Sequence, residues 1–100
     1  MYILVTYDVD TTNKEGARRL RNVAKACVDY GQRVQNSVFE CEVTEAQYCI
    51  LKERIKNIIN ASSDSIRFYA LSKNEHKRVE VLGVETAYKV DDALIIISVQ

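Results

Sequence analysis

Ile3, Val5 and Tyr7 alternate with Leu4, Thr6 and Asp8 at the start of the chain, the period-two pattern of a half-buried strand over residues 2 to 9. Where the alternation stops, Thr12 and Glu15 stand at capping-box spacing and predict a helix start. Beyond them Ala17, Leu20, Val23, Ala24, Cys27 and Val28 share one side of a wheel drawn at about 100° per residue. This predicts a helix over about 13 to 30, with Gly31 as its left-handed stop. "QRVQNSVFECEV" is dense in β-branched and aromatic residues, and reads either as one long strand or as a hairpin turning near Asn36 and Ser37. Thr44 and Gln47 repeat the capping-box spacing ahead of Tyr48, Leu51, Ile55, Ile58 and Ile59, which predicts a second helix over about 44 to 60. Three more strand-like runs follow: "SIRFYALS", "RVEVLG" and "ALIIISV".

That order fits an α+β protein of the ferredoxin-like βαββαβ kind with an additional C-terminal strand. Two helices would cover one face of its antiparallel sheet. The last run is apolar at nearly every position, which implies a second layer on the other face. In a chain of 100 residues the simplest second layer is another copy, so a homodimer packed sheet to sheet is expected.

Composition narrows the class. With 47% hydrophobic and 28% charged residues, no Pro and three Gly, the chain is a globular mixture of single-domain size, spanning 1–100. No run approaches the ~18 apolar residues of a membrane span, and the start lacks a signal-peptide pattern, so a cytoplasmic protein with no membrane partner is expected. Cys27, Cys41 and Cys49 lack paired spacing and read as reduced packing residues, with His76 too distant to complete a zinc site.

The net charge is zero, but its distribution is not even. Lys14, Arg18, Arg21 and Lys25 stand at i, i+4, i+7 and i+11, a basic stripe beside the apolar face of the first helix. Arg19 and Arg33 add to the excess. Guanidinium groups bind phosphate oxygens bidentately, so the stripe suits a nucleic-acid backbone read without sequence preference. A solvated helix face is the plainer reading, weakened by the scarcity of carboxylates at i+4. "KNEHKR" at 73–78 is a second, diluted basic cluster.

Asp8 closes the first strand where the chain turns toward this helix. A carboxylate there can hold Mg²⁺ or Mn²⁺, and a two-fold axis would bring a second copy of it to one ion and a bridging phosphodiester. The competing reading makes Asp8 a cap of the following helix, a role for which Asp10 is better placed. There is no phosphate-binding Gly-rich loop, and the one His lacks a nucleophile motif.

"YDVD" at the end of the first strand, "RRLRNVAKAC" in the helix and "YGQRVQNSVFEC" after it resemble the CRISPR-associated Cas2 family, in particular type I-C members, over nearly the whole chain. The resemblance implies a ferredoxin-like homodimer with a divalent metal, Mg²⁺ or Mn²⁺, held at Asp8 between subunits. It implies that Tyr7, Arg33 and Phe39 occupy positions linked to nuclease activity together with Asp8. Family arginines of the first helix fall on Arg18, Arg19 or Arg21 without a unique register. The resemblance further implies a core over 1–85 and a C-terminal strand over 86–100 that joins the partner's sheet. Two functions follow from it: an endonuclease on double-stranded DNA or RNA, and a scaffold bridging the larger CRISPR adaptation integrase to DNA during spacer acquisition. Asp10, where relatives often carry Asn, and the terminal "SVQ" depart from the family pattern.

Overall fold

The computed structural model describes residues 1–72 and Asn74. Six elements follow one another: β1 (Tyr2–Asp8), α1 (Lys14–Val28), β2 (Gly31–Gln35), β3 (Val38–Glu42), α2 (Glu45–Lys56) and β4 (Ser65–Leu71). The strands form one sheet in the order β2-β3-β1-β4, with every neighbouring pair antiparallel. This is the ferredoxin-like α+β arrangement expected from the order of elements. "RVEVLG", "ALIIISV", the 73–78 cluster as a whole and the 86–100 strand lie outside the described residues.

The alternation in β1 does what it predicts: Ile3, Val5 and Tyr7 are buried, while Asp8 is exposed on the other face. Val5 sits opposite Phe39 in β3 and opposite Phe68 in β4, so the buried side of the sheet is continuous across three strands. Leu20, Val23 and Cys27 of α1 and Leu51 and Ile55 of α2 close over it. Full burial of a side chain such as Leu51 or Ile55 contributes about 1.5–3 kcal/mol. Cys27 and Cys41 are free thiols in this core, the Cys41 thiol donating to the Cys27 carbonyl at 3.5 Å, whereas Cys49 is exposed.

Three local expectations are corrected. The first helix is capped by Asn13, whose side chain accepts from the Gly16 amide at 2.7 Å; Thr12 lies upstream, its amide and hydroxyl both donating to Asp10 Oδ1. Asp10 therefore builds a turn ahead of the helix and does not cap it. Gly31 is not a left-handed stop, because α1 already ends at Asp29 in right-handed geometry. Its need for glycine is contact: a Cβ there would stand 1.9 Å from the Glu40 carbonyl oxygen. Val28, expected in the core, is half exposed at the margin between the buried face of α1 and its basic stripe.

The second capping box is present, with Thr44 and Gln47 bonded reciprocally at 2.9 and 3.1 Å. α2 stops at Lys56, short of the expected 60, and Ile58 and Ile59 follow it as partly buried residues against the core. "QRVQNSVFECEV" is a hairpin, β2–β3, with Asn36 and Ser37 in its turn and a bulge between Arg33 and Gln35.

Candidate active site and nucleic-acid interface

Asp8 ends β1 on the sheet face turned away from the helices. Its neighbour across β4 is Ser65, and the Tyr7 amide donates to the Ser37 carbonyl at 2.9 Å, which brings the β2–β3 turn beside it. Thr6, Tyr7, Asp8, Ser37, Ser65 and Arg67 thus line an open cleft of about 350 Å³. Arg67 escaped the sequence reasoning, although the alternation in "SIRFYAL" puts it on the same face as Ser65. The Tyr69 hydroxyl accepts from its guanidinium at 3.3 Å and raises its pKa.

The donor set in this cleft is one carboxylate and several hydroxyls, hard oxygens that suit Mg²⁺ or Mn²⁺. Among the described residues no group of three or more His, Cys, Asp or Glu side chains converges. A metal at Asp8 would therefore fill its remaining positions with water, substrate or a second carboxylate from another chain.

Tyr7 does not reach this cleft with its ring. As its neighbour in a strand, it points the other way and is 2% exposed, under the helices. Its hydroxyl donates to Asp64, whose carboxylate also accepts from Arg19 Nε at 2.8 Å, from an Arg19 terminal nitrogen at 3.0 Å and from the Asn60 amide at 3.0 Å. Burial together with this hydrogen bond to a carboxylate pushes the Tyr7 hydroxyl up to about 12. Burial alone would raise the Asp64 pKa, but Arg19, the Asn60 amide and Tyr7 outweigh it and hold the carboxyl well below the usual range. Nothing in the local sequence pointed to Asp64.

The stripe forms as the wheel predicts: Lys14, Arg18, Arg21 and Lys25 are all exposed. Arg19 leaves it. At 100° per residue it falls roughly a third of a turn from the stripe, on the opposite flank of the core face, where Asp64 takes its fork bidentately. Arg33 belongs with the stripe instead: it lies opposite Phe39 in the hairpin, donates to the Asn36 carbonyl at 2.8 Å and stands 5.6 Å over the Phe39 ring. Phe39 itself is fully buried beneath Arg33.

Arg21, Lys25, Arg33 and Arg54, with the carboxylate of Asp29 and the apolar Ala24 and Val28, line a groove of about 560 Å³. Arg54, from α2, was not among the expected site residues; it is tethered by Asp29 at 2.7 Å, an exposed pair of little energetic weight. The groove opens on the helix side of the sheet, and the Asp8 cleft on the other.

An antiparallel four-stranded sheet, two helices on one face, a carboxylate at the end of β1 and a cationic stripe on α1 define a small ferredoxin-like α+β protein. Residues 1–79 match the family described as CRISPR associated protein Cas2, and the chain belongs to that family. It is 53% identical over 94 residues to a CRISPR-associated endoribonuclease Cas2 of Rhodospirillum rubrum, covering 94% of this chain and 99% of that protein. It is 47% identical over 95 residues to a CRISPR-associated endonuclease Cas2 of Halalkalibacterium halodurans, covering 95% and 99%. The crystal structure of Streptococcus pyogenes Cas2 superposes with a TM-score of 0.80 at 61% identity, covering 83% of this chain and all of that one. Among the described residues no helix is long and apolar enough to cross a membrane.

Proposed function

We propose that this protein is a homodimeric, divalent-metal-dependent endonuclease that acts on double-stranded DNA or RNA in CRISPR spacer acquisition, alongside the adaptation integrase. The observation that carries the reading is the placement of Asp8: exposed, at a strand end, in a cleft of hard oxygen donors with Arg67 at its edge. Asp8 would hold Mg²⁺ or Mn²⁺, which when bound activates water and offsets charge on the transferring phosphoryl group. Arg67 would place a phosphodiester by its guanidinium fork. Serving one ion with two carboxylates takes two copies of the chain, joined through the sheet face that carries Asp8. Relatives named endoribonuclease and endonuclease support the reaction class and leave both nucleic acids in play.

The second reading, a DNA-binding scaffold without cleavage, is favoured by one observation. The groove rimmed by Arg21, Lys25, Arg33 and Arg54 opens on the face opposite Asp8, so within one subunit the cationic groove and the carboxylate serve different surfaces. Wild type and Asp8→Asn compared in cleavage and in spacer integration separate the two. Loss of both activities supports the nuclease; loss of cleavage with integration intact supports the scaffold. Sedimentation as a single-chain species at micromolar concentration would remove the dimer on which the shared ion depends.

A further inference from the structure

We propose that Asp64 is the positioning residue of the Asp8 cleft and that Arg19 acts through it, not on nucleic acid. The inference rests on the reading of Asp8 as the metal-holding group and adds the device that holds it in place.

Asp64 joins three parts of the fold that meet at the end of β1. Its carboxylate is 1% exposed and accepts from Tyr7 of β1, bidentately from Arg19 of α1, and from the amide of Asn60 in the loop after α2. Its own amide donates to the Asn60 carbonyl at 2.8 Å. In sequence it immediately precedes Ser65, and Ser65 is the residue paired with Asp8. One carboxylate therefore grips the residue before Asp8 and sets the start of the strand opposite it. Strand ends are where a sheet opens first. Here the last pair of β1–β4, Asp8 with Ser65, is clamped from beneath by charge-assisted bonds while the upper face stays open for an ion.

Arg19 supports this reading by what it lacks. Its fork is spent on Asp64, and its position on α1 lies on the far flank from Lys14, Arg18, Arg21 and Lys25. The Arg19 side chain is 19% exposed, less than half the 43% of Arg54 on the groove rim. Residues that orient a ligand from behind it typically change metal affinity or activity by about 10–100-fold when removed.

The test measures Mn²⁺ binding by electron paramagnetic resonance, independent of cleavage, for wild type, Asp8→Asn, Asp64→Asn, Arg19→Gln, Tyr7→Phe and Arg21→Gln. Amide exchange at residues 6–8 and 65–67 and DNA affinity without metal are measured in parallel. Expected are Mn²⁺ binding about tenfold weaker or more in Asp64→Asn, Arg19→Gln and Tyr7→Phe, with faster exchange at those amides. Arg19→Gln should keep wild-type DNA affinity and salt dependence, and Arg21→Gln should show the reverse pattern. In cleavage, the three variants should lower kcat with KM unchanged. If Asp64→Asn fails to fold, Tyr7→Phe, which removes a single hydroxyl, decides the same question. Wild-type Mn²⁺ affinity and exchange in folded variants, or DNA affinity lost in Arg19→Gln with Mn²⁺ binding kept, would overturn the proposal. If Asp8→Asn binds Mn²⁺ as wild type does, the metal reading falls, and the exchange at residues 6–8 and 65–67 alone then decides whether Asp64 holds Asp8.

Discussion

Tyr7 and Asp8 are consecutive residues of β1 that end on opposite sides of the sheet, the phenol buried against Asp64 and the carboxylate open in the cleft with Ser65. They belong to one functional region through the backbone they share, and their side chains do not meet.

Replacement of Asp8 is the most direct probe of chemistry. Asp8→Asn keeps shape and removes charge at an exposed position, so the fold should be unaffected. Metal-dependent cleavage should fall by more than the roughly 10–100-fold typical of groups behind a ligand. Initial rates at saturating Mg²⁺, with thermal unfolding as the control, check both statements.

Stability should respond to pH from both ends. In the unfolded chain Tyr7 ionises near 10.0, the ordinary tyrosine value, in the folded one at about 12, so the native state holds this proton more tightly. Its contribution is complete below pH 10 and is lost as pH climbs toward 12. Asp64 behaves oppositely: its folded pKa lies below the ordinary 3.8, so its contribution is present above that value and is lost as pH falls beneath it. Urea midpoints across the pH range should show both losses, with Tyr7→Phe flattening the alkaline one and Asp64→Asn the acid one.

The same cluster sets a scale for mutational damage at neutral pH. Asp64→Ala leaves Arg19 and the Tyr7 hydroxyl without their partner and should cost more stability than Tyr7→Phe. Tyr7→Phe removes one bond to a charged acceptor and should cost about 1.5–3 kcal/mol. Denaturant unfolding of each gives the comparison.

Nucleic-acid binding should be electrostatic and additive along the groove. Each of Arg21→Gln, Lys25→Gln, Arg33→Gln and Arg54→Gln that removes a phosphate contact should reduce the slope of log affinity against log salt by roughly 0.9 for duplex DNA. Titrations at several salt concentrations read this slope. Arg54→Gln with an unchanged slope would confine the contact to α1 and β2.

Gly31→Ala tests a tight contact at the start of β2, the strand that carries Arg33. The added methyl would meet the Glu40 carbonyl at 1.9 Å, so β2 must shift from β3. A loss of about 1–3 kcal/mol is expected from such overpacking, measurable by thermal unfolding.

What was legible in the sequence was local. The alternation of Ile3, Val5 and Tyr7 and the Thr44–Gln47 spacing encode structure within one element, and each is found as read. Asn13 is the cap while Thr12 bonds back to Asp10, a choice between two adjacent oxygens that spacing alone does not rank. The stripe was visible because helical geometry fixes it, and the same geometry sets Arg19 apart. Asp64 was invisible: its partners Tyr7 and Arg19 lie 57 and 45 positions away, and only the pairing of β1 with β4 brings them together. Arg54 was hidden for the same reason, its tether Asp29 standing on another helix.

The bulge between Arg33 and Gln35 has a consequence for assembly. Among the described residues β2 is one border of the sheet, and the irregularity breaks its run of amides and carbonyls into two short pieces. A broken border is a poor template for another strand. β4 at the opposite border keeps unbroken register with β1 over all seven of its residues. Among the described residues, the β2 border beside the cationic groove is thus the poorer template for an added strand, and the β4 border, where Ser65 faces Asp8, the more regular one.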